Sequence, residues 1–350
     1  MFFVMNFNRW INDSESMAIC LKLNWRDADQ LSFMHILNFS LHNDTFLAKF
    51  QALIMSSDSP QVVFDVPMQL GECPLWHPQE TVLYWIDING QAVHRFDPGS
   101  GSHNQWVMPS EPGCIAWCGS GGLIVALRSG IVLLDAASGT ITPLISAPYD
   151  VEKARFNDGR CDTAGRLWVG TIYEPRNQPL ASLYCVDRGN VRDMVKPVTV
   201  SNGVAFSEDN RSLYHTDTAA HSITAYDFDV TTGHIGASRL VKQFSTDRAS
   251  NYGGRPDGAA VDSENAYWCA MYEGGRVLRL SPEGDVLREI SVPFRCPTMV
   301  AFGGDDLRTL YITSVRQNRP EAELAQYPLS GCVTALRVDV PGRLENAYVL

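Results

Sequence analysis

Six times between Glu72 and Ser314 the chain repeats one construction: an apolar run opened by a polar or small residue, a polar turn, then a second apolar run. The pairs begin as Glu72-Cys-Pro-Leu-Trp76 with Thr81–Asp87, Gly113-Cys-Ile-Ala-Trp117 with Gly122–Leu127, and Asn157–Asp162 with Arg166–Thr171. They continue as Asn202-Gly-Val-Ala-Phe206 with Arg211–Asp217, Asp257–Asp262 with Ala266–Met271, and Pro297–Phe302 with Thr309–Ser314. A third run follows each pair, such as Ala92–Asp97 or Ser182–Asp187, and a weaker fourth closes most units, such as Trp106–Met108 or Val286–Ile290. With Glu72, Gly113, Asn157, Asn202, Asp257 and Thr298 as markers, the spacings are 41, 44, 45, 55 and 41 residues. A repeat of roughly 40–50 residues holding four short strands is the mark of a β-propeller, whose blades bury their faces against one another. The expected fold is therefore all-β: a six-bladed β-propeller with four antiparallel strands per blade and no helix required. The 55-residue interval predicts a loop insertion around Ser245–Gly254, and Gln61–Val66 can add a strand to the last unit and close the ring.

Composition narrows the function classes. The chain is 45% hydrophobic and 19% charged, ordinary for a globular protein. Its net charge is -11, with no basic patch, which argues against a nucleic-acid partner. No window is long and apolar enough to span a membrane as a helix, and no secretory signal pattern opens the chain. The expected location is cytoplasmic, as a monomer or small homo-oligomer. The nine cysteines are odd in number, scattered, and without a Cys-x-x-Cys. They read as separate buried thiols in a reducing compartment, not as a disulfide framework or a thiolate zinc site.

Residues 1–54 stand outside the repeat, rich in Met, Asn, Leu and Phe and poor in Gly and Pro. Asp27–Ala48 has the mixed apolar periodicity of one or two amphipathic helices. We read 1–54 as an N-terminal extension and 55–350 as the propeller domain. Met55 is also a candidate start, in which case the first 54 residues are a translated upstream segment. The mass of the native N-terminus decides, and any peptide from 1–54 rules that idea out.

The innermost strand of each propeller blade lines the central channel, so the markers should converge at one mouth. Four are polar: Glu72, Asn157, Asn202 and Asp257. Polar residues around a water-filled channel need no function. Two carboxylates and two amides, however, offer oxygen ligands only, which suits a hard divalent cation. The eight histidines show no zinc-binding spacing, and a lone His such as His215 reads as a core or channel residue. There is no Gly-x-Ser-x-Gly elbow and no Gly-x-x-x-x-Gly-Lys loop, so neither a serine hydrolase nor a phosphate loop is indicated. Asp257 stands between Pro256 and Gly258, a combination that predicts a tight turn aiming one carboxylate. Alone it would be an ordinary turn residue; as the fifth of six equivalent positions it gains a role.

Four separated motifs then agree. Gly71-Glu-Cys-Pro-Leu-Trp76, Arg155-Phe-Asn-Asp-Gly159, Ser201-Asn-Gly203 and Arg255-Pro-Asp-Gly258, followed by Tyr272-Glu-Gly-Gly-Arg276, resemble in matching order the SMP-30/gluconolactonase/luciferin-regenerating-enzyme family. The resemblance covers about residues 61–340. It implies a six-bladed propeller that binds one divalent metal (calcium, zinc, magnesium or manganese) and hydrolyses a sugar lactone. It implies Glu72, Asn202 and Asp257 as metal ligands. Arg155 and Asn157 would line the substrate pocket, with Asn157 near the metal, and Glu174, soon after Gly170-Thr171, would join them. Pro175 follows Glu174 directly, so the local register there departs from the pattern. On this reading a metal-activated water attacks the lactone carbonyl, and Asp257 serves as both ligand and general base. Two alternatives stay open: a related propeller esterase or organophosphate hydrolase, and a non-catalytic ligand-binding propeller, which has no need of Glu72, Asn202 and Asp257 at one mouth.

Overall fold

The computed structural model describes residues 59–250 and 252–350, together with Ser16–Met17 and Phe39–Ser40. Six four-stranded antiparallel sheets form the blades of a propeller. The innermost strands of blades 1 to 6 are Gly71–His77, Pro112–Trp117, Ala154–Cys161, Ser201–Phe206, Arg255–Val261 and Pro297–Gly303. Each lies against the next, and that of blade 6 against that of blade 1, so the ring is closed. Blade 6 is composite: Val333–Arg337 pairs antiparallel with Gln61–Phe64, which comes from the other end of the domain. The strand expected from Gln61–Val66 is thus found where ring closure requires it.

Burial falls outward along each blade. The second strands Val82–Asp87 and Leu123–Leu127 are buried throughout, whereas the outermost strand His103–Val107 is mostly exposed. A strand covered on both faces needs a continuous apolar run, which is why those segments dominate the sequence pattern. Two first turns share one device. Asp162 accepts the backbone N–H groups of Ala164 and Arg166 and, at 2.9 Å, the indole N–H of the fully buried Trp168. Asp262 does the same for Glu264, Ala266 and Trp268. A single carboxylate folds the turn and satisfies the one polar atom of a core tryptophan.

Three findings depart from the sequence expectations. A six-residue helix, Glu321–Gln326, lies between the second and third strands of blade 6; it has no buried residue, hence no apolar stripe to announce it. Pro256-Asp257-Gly258 is not a turn but part of the strand Arg255–Val261, at a register shift between Pro256 and Ala259. Gly258 answers to crowding instead, because a Cβ there would lie 2.9 Å from the Cα of Met299 in blade 6. The third lies within the first of the chain's two compact units, Met1–Ile54 and Met55–Leu350. In the first, Ser16–Met17 pairs antiparallel with Phe39–Ser40. Those last two residues are extended, not helical, and the rest of the helices expected over 27–48 lies outside the described residues. The eight cysteines among the described residues are buried and unpaired. No helix among those residues is long and apolar enough to cross a membrane.

Candidate active site

All six innermost strands are bulged at their markers, with register shifts beginning at Glu72, Pro112, Phe156, Asn202, Pro256 and Pro297. A bulge locally breaks the alternation of a strand and re-aims a side chain. Outside groups fix the backbone ahead of these bulges. Asp217 accepts the N–H groups of Thr199 and Val200, both at 3.1 Å, just before Ser201-Asn202. Asp87 does likewise for Gln69 and Leu70 ahead of Glu72. Thr298, the marker of blade 6, donates its hydroxyl to the Gly71 carbonyl at 2.5 Å, so it braces Glu72 and carries no separate chemistry.

Three blades contribute a continuous polar row. Arg155 donates to Asn157 Oδ1 at 2.9 Å; Asn157 Nδ2 donates to Asn202 Oδ1 at 2.5 Å and to the Ser201 carbonyl at 3.0 Å. Asn202 Nδ2 donates to Asp257 Oδ1 and to Thr218 Oγ1, and Thr218 donates onward to the Pro256 carbonyl at 2.7 Å. Glu72, from blade 1, lies within the fields of Asp257, Asp158 and Arg155. Glu174 sits at the rim, gripped by Arg128 at 2.9 and 3.0 Å and 3.7 Å from Arg155 Nε. The structure therefore brings together all six residues singled out from the sequence. Glu174 reaches the others through Arg155 and is itself a rim residue. His215 stands behind the row, its Nε2 2.7 Å from Ser201 Oγ, as a buried supporting residue.

The electrostatics show what the row lacks. Burial pushes Asp257 up to about 8, against the pull of Arg255, Arg176 and the Asn202 hydrogen bond. Burial, and then the negative charges of Asp257 and Asp158, hold Glu72 well above the usual carboxylate range. Asp158 is raised by burial too, and its Oδ1 is buried without a hydrogen-bond partner among the described residues. Three carboxylates that resist ionisation and one orphaned oxygen describe a place short of positive charge. No three Asp, Glu, His or Cys side chains among the described residues form a ligand cluster by themselves. The set needs the Asn202 amide, which exchanges nitrogen for oxygen by a half-turn. With it, Glu72, Asn202 and Asp257 supply an all-oxygen donor set that fits a hard divalent cation.

Several contributors were not among the residues singled out. Asp158 lay inside the Asn157-Asp-Gly-Arg160 motif, and it matters here because its negative charge bears on Glu72 and Asp257. Thr218 and Arg128 gave no sequence signal, since each acts by holding another residue. Tyr272 lies beneath the guanidinium of Arg255, 5.0 Å from its ring centroid, and forms part of the wall. The 245–254 insertion is tied to that wall: Tyr252 and Arg248 both donate to Glu273 Oε2, at 2.7 and 2.8 Å.

A closed six-bladed propeller with a buried oxygen-donor set at one channel mouth defines the class of protein. Within that class, the chain belongs to the SMP-30/Gluconolactonase/LRE-like family, whose characteristic region matches residues 70–316. It is 52% identical to a 6-deoxy-6-sulfogluconolactonase of Pseudomonas putida, over 81% of this chain and 96% of that protein. It is 35% identical to a pentonolactonase of Haloferax volcanii, over 72% and 84% of the two chains. Among solved structures it resembles a calcium-binding protein, regucalcin, of Agrobacterium tumefaciens, with a TM-score of 0.78 and 27% identity over 83% of this chain and 98% of that one.

Proposed function

We propose that this chain is a divalent-metal-dependent lactonase that opens a sugar lactone to the corresponding aldonic acid. The observation that carries the reading is the hydrogen-bonded row Arg155–Asn157–Asn202–Asp257, with Glu72 in its field. Support comes from the relatives named above, two of which are lactonases by name. Glu72, Asn202 and Asp257 would hold the cation, and the resemblance to a calcium-binding regucalcin puts calcium first on the list to try. Such a cation polarises a carbonyl and acidifies a bound water.

The remaining work falls to side chains. Arg155 and Asn157 orient the ring hydroxyls of the substrate, with Arg155 steadied from the rim by Glu174. With one carboxylate oxygen of Asp257 given to the cation, its other oxygen takes the proton of the attacking water. The water oxygen bonds to the carbonyl carbon, the ring C–O bond breaks, and the departing ring oxygen takes the proton back. The aldonic acid then ionises, so each turnover releases one proton. The test is proton release on a panel of aldonolactones and alkyl lactones, with chelator and after metal is restored. We expect turnover that disappears with chelator and returns with one divalent metal. Chelator-insensitive turnover would overturn the metal, and no turnover on any lactone would overturn the lactonase.

A further inference from the structure

The innermost strands that carry the site are anchored in two different ways. In blades 1 and 4 an acid ends the second strand, opposite the residue just before the marker: Asp87 opposite Gly71, and Asp217 opposite Ser201. These are the carboxylates that accept the N–H groups of Gln69, Leu70, Thr199 and Val200. In blade 3 the equivalent pair is Arg155 with Ile172, which has no carboxylate to offer. That strand is held instead from the 147–153 loop leading into it. The Phe156 N–H donates to the Tyr149 hydroxyl at 2.8 Å, and the hydroxyl donates to the Arg128 carbonyl of blade 2 at 3.1 Å. The Tyr149 ring also meets the buried Phe156 ring edge-on, with centroids 5.0 Å apart. Arg128 tightens the same loop, its guanidinium donating to the Val151 carbonyl at 3.0 Å and the Ala154 carbonyl at 3.4 Å.

Phe156 stands between Arg155 and Asn157. Its carbonyl accepts from Arg155 Nη1 at 2.9 Å, and the same nitrogen reaches Asn157 Oδ1. The register shift begins at Phe156, so Asn157 and Asp158 have no partner in the second strand. A bulge leaves its residues without ladder bonds, and their aim is set by whatever else holds the backbone. We propose that Tyr149 is a positioning residue: through the Phe156 backbone it sets the Arg155 guanidinium that receives the substrate. This rests on the lactonase reading above. A hydroxyl suits the place because it accepts and donates at once, whereas a carboxylate there would face the Arg128 carbonyl oxygen. Without the hydroxyl the N–H of Phe156, a residue 1% exposed, loses its acceptor and the backbone must move to find another.

The experiment measures kcat and KM of the metal-loaded enzyme on the panel of aldonolactones, well below the melting transition. Tyr149→Phe keeps the ring and removes only the hydroxyl. We expect KM to rise about tenfold, from the loss of a buried hydrogen bond. We expect kcat to stay within about twofold, the pattern of lost binding common to ground and transition states. The thermal midpoint should fall slightly, as it would for a purely structural tyrosine, so a double-mutant cycle decides. In an Arg155→Gln background, Tyr149→Phe should raise KM by about twofold or less, because the residue it acts through is gone. Equal effects in the two backgrounds, an unchanged KM, or a loss confined to kcat would overturn the positioning role. Calorimetric binding of gluconate, which has no ring to open, should weaken about tenfold in Tyr149→Phe as well. Tyr149-dependent binding without turnover of any lactone would sink the hydrolase and keep the positioning role. Turnover and binding that Tyr149→Phe leaves unchanged would sink the positioning role alone, and a wild type that neither turns over a lactone nor binds gluconate would sink both.

Discussion

Asp257 is asked to bind a cation and to take a proton, and its surroundings set the balance between the two. Replacing it by Asn keeps the shape and an oxygen for the Asn202 amide to donate to, but removes both the charge and the base. We expect Asp257→Asn to lose lactone turnover by about 100-fold or more. Its thermal midpoint should equal or exceed that of wild type, because a carboxylate raised by burial is gone. Wild-type turnover in this variant would remove Asp257 from the base role. His215 gives a second residue-scale test. Burial holds it down to about 4, below the ordinary 6.5, so the folded state binds fewer protons than the unfolded chain between those values. Stability from this group is complete above about pH 6.5 and is lost as pH falls towards 4, by on the order of 3 kcal/mol. The difference in thermal midpoint between wild type and His215→Gln should therefore shift over that window and stay constant above pH 7. A difference independent of pH would mean that His215 is not held neutral by burial.

At the scale of the element, the bulged innermost strand makes the site, and its glycines tell how tightly the strands approach. The blade 2 marker is Gly113, where a Cβ would sit 2.3 Å from the Phe156 carbonyl oxygen and 2.7 Å from the Asn157 nitrogen. No side chain fits there, which is why blade 2 contributes nothing polar to the row. Gly113→Ala must push the blade 3 strand away, at a cost of about 1–3 kcal/mol for an overpacked site. The displaced segment is Arg155–Asn157, so kcat/KM should fall along with the thermal midpoint. Wild-type melting and activity would show that the two strands can part freely. This scale also separates what the sequence discloses from what it hides. The strands were legible because a segment covered on both faces must be apolar throughout, as Val82–Asp87 is. The bulges were not, since a one-residue shift leaves the apolar run intact and Pro256-Asp257-Gly258 has the composition of a turn. Glu72, Asn202 and Asp257 stood out by their equivalent places in the repeat. Thr218 occupies a loop that the repeat does not constrain, and only its neighbours in space, Asn202 and Pro256, give it meaning.

The whole ring is fastened twice, and only one fastening could be anticipated. Gln61–Phe64 closes blade 6 through an ordinary strand pairing with apolar periodicity. The second is the irregular segment 341–350, which has no period to read and bonds largely through its backbone. It runs across the channel end opposite the site, touching five blades in turn. Ser263 donates its N–H to Pro341, Gly342 to Leu307, Tyr348 to Trp117 and Val349 to Gly165, while Arg343 donates to the carbonyls of Phe206 and Ser207. At its centre Glu345 pairs with Arg160, whose guanidinium also donates to the Val204 and Ala259 carbonyls of the innermost strands of blades 4 and 5. Both partners are largely shielded, with 9% and 12% of the side chains exposed. Removing one member of such a pair leaves an uncompensated buried charge, a loss of about 3–5 kcal/mol. We expect truncation after Asp339 to lower the thermal midpoint sharply and to red-shift the emission of Trp117, whose indole donates to the Glu345 carbonyl at 3.3 Å. Glu345→Gln, which keeps the segment but removes the charge, should lose part of that stability. Because the segment lies at the far mouth, KM for lactones below the melting transition should hold in Glu345→Gln. A raised KM there would mean that the channel transmits strain from one mouth to the other, whereas an unchanged midpoint in both variants would mean that strand pairing in blade 6 closes the ring unaided.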